Sequence, residues 1–255
     1  MSALGLRGKP RQPPHRDRAL EPRSVGSRAR RGNERADIPM NRALQKTERQ
    51  TLGAARATLR SATRALHVQL EHGMTVTSPD LTLADYAQTL RRMLEVYTPL
   101  EKLIDAHEVS MRELGLNWAQ RRKAALLERD LVAIAPEFDV STLGRAPDVL
   151  PSLPSLAEAM GCLYVLEGST LGGQFVARHV ESALGLRADN GAAFFQSYGP
   201  AVGRFWQEFC SALELGLPDR PSRERAARTA NATFELFIRH ARNEHDAHDH
   251  DPSSR

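Results

Sequence analysis

From about residue 45 to residue 243, apolar residues recur at three- and four-residue spacing. That periodicity restricts the fold more than any other feature. Leu59, Ala62, Leu66 and Leu70 make one stripe, and Leu83, Tyr86, Leu90, Met93, Leu94, Tyr97 and Leu100 a longer one. A third runs from Trp118 to Ile134 through Ala125, Leu127 and Leu131, and a fourth starts at Leu156, Ala159, Leu163 and Leu166 and continues towards Leu184. Val202, Phe205, Trp206, Phe209 and Leu213, then Phe234, Phe237, Ile238 and Ala241, complete the set. Such spacing lines one face of an α-helix. No run alternates with period two. The pattern predicts an all-α single domain of roughly six to eight helices. Breakers fall between the stripes: Thr77-Ser78-Pro79-Asp80, with Ser78 or Thr82 as N-cap, then Pro147 to Pro154, and Leu217-Pro218-Asp219.

The charge has to be divided before it is read. Residues 1–40 hold ten Lys/Arg, four Asp/Glu and five prolines, about +6 in all, which leaves about −2 on the remaining 215. The basic pI therefore describes a tail, expected to be disordered over residues 1–44, with Met40 as an alternative start. The domain itself, 45–243, is not basic, which removes the main argument for nucleic-acid binding. Apolar runs are too short to span a membrane, and no secretory h-region opens the chain. Cys162 and Cys210 are the only cysteines and form no CxxC, so a reduced cytoplasm is the expected compartment.

Within the fourth stripe, YVLEGSTLGGQFVARH (164–179) carries Gly168, Gly172 and Gly173. Each interior glycine weakens a helix by about 1 kcal/mol relative to alanine. Gly168 and Gly172 are spaced i,i+4 and so lie on one face. That bare strip admits either another helix or a flat ligand, while Ser169 and Thr170 supply hydroxyls. In the first stripe His67 stands beside Leu66 and Leu70, with Arg60 two turns earlier and Arg64 one turn earlier. An imidazole there suits a haem iron, and the arginines suit carboxylates. A histidine at the core edge beside solvated arginines accounts for the same residues.

Taken together, LRSATRALHVQLE, YVLEGSTLGGQFVARH and FFQSYGPAVGRFWQEF resemble the bacterial haem oxygenases, in particular the branch found beside bacterial phytochromes. The resemblance covers about residues 55 to 245. It implies the haem oxygenase-like multi-helix fold, with haem between two helices. His67 falls on the proximal ligand position, and Gly168, Gly172 and Gly173 on the distal helix. Arg60 matches a propionate-pairing position, Arg204 is a second candidate for that role, and Phe234 forms part of the haem wall. Ser169 stands where many members carry an aspartate that anchors distal water, so Ser169 or Thr170 is expected to hold water instead.

The activity so implied is cleavage of haem, both cofactor and substrate, by O2 and external electrons to biliverdin, carbon monoxide and ferrous iron. With no dinucleotide fingerprint present, the electron donor would be a ferredoxin or a flavoprotein reductase. A bacteriophytochrome would be the recipient of biliverdin. Ser169 keeps two alternatives open: a haem-binding carrier that does not degrade haem, and a degenerate domain that docks a partner. The tail 244–255, with His245, His248 and His250, extends a His/Asp-rich segment from His240; metal binding and a solvated terminus both fit it. No Glu-x-x-His pair supports a ferritin-like di-iron site.

Overall fold

The computed structural model describes residues 53–137, 139, 147 and 149–242. The expected basic tail (1–44) and the His/Asp-rich tail (244–255) lie outside the described residues. Within them the chain is helical, with no strand: α1 (Ala54–His72), α2 (Leu83–Ile104), α3 (Glu108–Glu113), α4 (Ala124–Ile134), α5 (Leu156–Leu184), α6 (Ala193–Gln196), α7 (Val202–Gly216) and α8 (Arg220–Arg242). Short 3₁₀ turns join several of them. No described helix is long and apolar enough to cross a membrane.

The helix ends follow local chemistry where the sequence supplies it. Thr82 and Asp85 close a capping box on α2: the Asp85 N–H donates to Thr82 Oγ1 at 3.2 Å, and the Thr82 N–H to the Asp85 carboxylate at 3.1 Å. The Asp219 carboxylate accepts from the Ser222 N–H at 2.8 Å at the start of α8. Gly185 ends α5 in the left-handed region, at φ +71°.

Helix α1 has no cap of its own. Its first N–H groups, of Ala55 and Arg56, donate to the Glu214 carboxylate on α7 at 3.0 and 2.9 Å. That carboxylate meets the positive end of the helix dipole. A Cβ at Gly53 would run into it, and the carboxylate would have to shift to make room.

Helix α5 is the axis of the molecule. It packs on α8, α7, α6 and α2, while α1 packs on α8 and α7. Most of its first four turns are buried, including Met160, Cys162, Leu163 and Leu166. The tightest crossing is at Gly161, where an added Cβ would overlap the Ala226 carbonyl of α8. A second, smaller apolar cluster forms where α1, α5 and α8 meet. Val165, Ala230 and Phe234 are its buried members, with Leu66, Leu70, Tyr164 and Phe237 packed around them.

The stripe expected to run unbroken from Trp118 to Ile134 is split. Trp118–Gln120 is a 3₁₀ turn, and α4 begins only at Ala124. Between them Arg121 and Lys123 turn inward, to 3 % and 2 % exposure. The N–H groups of Lys123 and Ala124 donate to the buried Glu101 carboxylate of α2 at 2.5 and 3.1 Å. A carboxylate from another helix therefore starts α4, overriding the local period.

Candidate functional site

The four glycines of α5 between residues 161 and 173 divide by what faces them. At Gly173 a Cβ would lie 2.9 Å from the Phe195 carbonyl oxygen, closer than side chains tolerate. Gly173, like Gly161, is therefore occupied by packing. At Gly172 a Cβ would meet nothing within 4 Å among the described residues. At Gly168 it would meet only the edge of the Trp206 indole, at 4.0 Å. The i,i+4 pair is thus a strip of bare main chain with space in front of it.

Helix α1 borders the same small cluster. His67 is just over half exposed, 55 % of its side chain. Its ring meets Phe234 of α8 edge-on, with centroids 5.7 Å apart and planes at 65°. Its Nδ1 lies 3.4 Å from the Glu71 carboxylate one turn on. A carboxylate beside Nδ1 favours the tautomer with the proton there, which leaves the Nε2 lone pair for a metal. Sequence reasoning passed over Glu71, although its i,i+4 spacing from His67 is visible in the chain. Leu66 and Leu70 are only half-buried, and Ala62, expected in the stripe, is exposed.

Two cations stand near this face. Arg56 lies over the Trp206 ring, 5.7 Å from its centroid. Arg56 and Arg60 both draw down the Tyr164 hydroxyl, whose pKa burial nevertheless holds above its ordinary value. Arg204 turns elsewhere. It pairs with Glu208 on its own helix at 2.7 Å and lies over Phe205, 4.8 Å from the ring centroid.

Ser169 donates its hydroxyl proton to the Leu166 carbonyl at 2.8 Å. A hydroxyl has one proton, so the 3.1 Å contact with the buried Tyr97 has the tyrosine as donor. Ser169 is exposed and keeps one further acceptor position. Thr170 is buried and gives its hydroxyl to the Glu167 carbonyl at 2.7 Å.

Beside the strip lies an ionic cluster that the sequence did not announce. Glu167, fully buried, accepts from Arg121, from Lys123 Nζ at 3.0 Å and from the Tyr198 hydroxyl at 2.6 Å. Burial pulls the Lys123 ammonium below its usual pKa, and the Glu167 carboxylate pulls the other way. Tyr198 stacks on Phe205 with ring centroids 3.9 Å apart. Seven residues after Glu167, on the same helix face, the Gln174 amide donates to the Gln196 carbonyl at 2.9 Å. With the Gly173–Phe195 approach, these contacts fix α5 against residues 193–198. Glu167, its two cations and Tyr198 come from three segments far apart in sequence, which is why periodicity could not reveal them.

Two observations test whether a flat, polar-edged ligand fits. The strip at Gly168 and Gly172 has no protein packed onto it beyond the Trp206 edge. On α8, three residues before Phe234, the Asn231 Oδ1 is buried with no hydrogen-bond partner among the described residues, as is the Arg121 Nε in the ionic cluster; such atoms call for a further partner such as water. An imidazole with a free Nε2, bare main chain and nearby guanidinium groups match an iron porphyrin with its two carboxylates. Among the described residues there is no cluster of three or more His, Cys, Asp or Glu that could hold a free metal ion. His240 is paired with Glu95 of α2 at 2.7 Å.

Comparison with known proteins gives the family and the fold. The chain is 30% identical over 155 residues to a heme oxygenase of Xanthomonas campestris pv. campestris (strain 8004), covering 60% of this chain and 86% of that one. The fold matches heme oxygenase from Neisseria meningitidis, solved with NO and CO bound, at TM-score 0.62 and 18% identity, over 76% of this chain and 92% of that one. It matches heme oxygenase-1 from Synechocystis sp. PCC6803 in complex with heme at TM-score 0.60 and 16% identity, over 77% and 95%. The family description "Heme oxygenase" fits residues 54–243, nearly all of the described helices, and the chain belongs to that family of haem-degrading enzymes.

Proposed function

We propose that this enzyme cleaves haem with dioxygen and external electrons to biliverdin, carbon monoxide and ferrous iron. The observation that carries the reading is the pairing of His67, its Nδ1 turned to Glu71, with the uncovered main chain at Gly168 and Gly172. Haem, when bound, supplies both the iron at which dioxygen is activated and the ring that is opened.

In this reading His67 holds the iron through Nε2, Glu71 fixes its tautomer, and Phe234 limits rotation of the ring. The bare strip lets the distal helix approach without side chains in the way. Ser169 holds water in place of a carboxylate. Its own proton is committed to Leu166, so it offers water an acceptor, while Tyr97 donates into it from the core. Thr170 is buried, which leaves that role to the exposed Ser169. Arg56 and Arg60 on α1, near Tyr164, are the cations that would meet the propionates, with Arg204, paired with Glu208 at the surface, as a second candidate. A ferredoxin or flavoprotein reductase would supply electrons, and a bacteriophytochrome would take the biliverdin.

The test is spectroscopic. Purified protein given haem should develop a Soret band and, under ascorbate in air, turn green. His67→Ala should lose the ligand-dependent spectrum and the product; an unchanged band with full biliverdin yield would remove His67 from its role. A Soret band that persists unchanged in wild type under reductant would mean a non-degrading carrier, the alternative that Ser169 keeps open. No haem spectrum would leave a partner-docking domain.

A further inference from the structure

The bare strip is not open equally along its length. At its Gly168 end stands the Trp206 indole, with the nearest ring carbons 4.0 Å from where a Cβ would be; at its Gly172 end nothing lies within 4 Å among the described residues. We propose that Trp206 is the specificity-determining residue of this enzyme. It blocks one end of the glycine strip and thereby selects which edge of the tetrapyrrole is presented for cleavage. The inference rests on the haem-cleaving reading above and adds to it the residue that sets the position of attack.

The indole can do this because it is held from several directions. Its ring is tilted on Tyr164 of α5 at 6.0 Å and on Phe209 of its own helix at 5.6 Å. The Arg56 guanidinium covers it at 5.7 Å, an interaction that strengthens as water is excluded. Arg56 is itself fixed at its backbone by Glu214 at 2.9 Å. Trp206 and Glu214 are two turns apart on α7, so they lie on one face, and α7 grips α1 at both points. The wall is therefore built jointly from α7, α5 and the first turn of α1. A wall at one end of a flat site breaks the near-symmetry of a porphyrin, whose four meso edges are alike chemically and differ only in what surrounds them.

Wild type, Trp206→Ala and Trp206→Phe are compared as ferric haem cyanide complexes by proton NMR. The order of the shifted ring-methyl signals reports how the ring is seated, without turnover. Biliverdin isomers are then separated after turnover. The expected result is one dominant methyl pattern and one dominant isomer in wild type. A second methyl pattern should appear in Trp206→Ala, and its isomer ratio should shift on the order of tenfold, the discrimination one apolar contact carries in a pocket. Trp206→Phe, which keeps an aromatic wall, should stay close to wild type. An unchanged methyl order and isomer ratio in folded Trp206→Ala overturns the proposal, as does loss of haem binding altogether, which would make Trp206 a holding residue. If Trp206→Ala does not fold, Trp206→Leu is read by the same criteria. A wild type that binds haem and yields biliverdin while Trp206→Ala behaves identically defeats this inference alone. A wild type without a haem spectrum defeats the functional reading as well.

Discussion

Gly161 and Gly173 look like Gly168 and Gly172 in the sequence, yet they do opposite things on the same helix. At the first pair a main-chain carbonyl from α8 or from residue 195 takes the space a side chain would need. At the second pair that space is bounded only by an indole edge, or by nothing described. Glycine in a helix interior always carries the same backbone penalty. What offsets it differs: close packing at one pair, room for a ligand at the other. Glu167 and its cations add a further packed contact to the same helix. Gly161 lies two turns before Gly168 on one face, so what separates packing from the open strip is the neighbour each residue meets, not its side of the helix.

This division can be broken experimentally, starting from the packed positions. Glu167→Ala should have the largest effect, because buried Lys123 would lose its paired carboxylate and buried Arg121 would keep only Glu208; a loss of about 3–5 kcal/mol in denaturant unfolding is expected. Gly161→Ala should cost about 2–3 kcal/mol through overpacking against the Ala226 carbonyl. A Gly161→Ala protein of wild-type stability would show that α8 yields easily and that the glycine is not a packing device.

The open strip should respond in the reverse sense. Gly172→Ala is expected to leave stability unchanged or raise it by up to about 1 kcal/mol. Its haem turnover should fall by on the order of tenfold or more, as small misplacements at a reacting centre do. Loss of stability without loss of turnover would merge the two glycine classes. The smallest effect tests a region apart from both. Hydrogen bonds from the Thr82 hydroxyl and N–H hold the Asp85 carboxyl below its usual pKa. Its contribution to stability is therefore full above the unfolded carboxylate value and fades as pH falls towards the lower folded one. Asp85→Asn should differ from wild type above about pH 5 and converge with it in more acidic solution, while both glycine pairs keep their behaviour.

Much of the architecture was legible locally. The stripes of α2, α5, α7 and α8, the Thr82 start of α2 and the break at Leu217-Pro218-Asp219 all follow from residues within a few positions of one another. At the candidate site His67 and the glycines stood out by type and spacing. Other parts depended on residues far apart in the chain. Nothing local to Arg121 and Lys123 signals their burial, which depends on Glu167, more than forty residues on. Arg204 stood out as a cation, and Glu208, one turn along the same helix, is its partner in the structure. Nothing near Gly53 announced that α1 would be capped by Glu214. Thr170 and Ser169 are neighbours that each donate to the carbonyl three residues back, and only the position of the helix in the core buries one and brings the other to Tyr97.

The sequence alone determined that the chain is helical, where its glycines and breakers fall, and that one histidine stands at a core edge, because helix periodicity, capping and backbone preference are properties of residues a turn or two apart. Which glycines are filled, which arginines are spent on other partners and where the indole stands were decided only by the tertiary structure. Those outcomes turn on which helices lie against one another, and no local pattern encodes a contact between residues 44 or 159 positions apart.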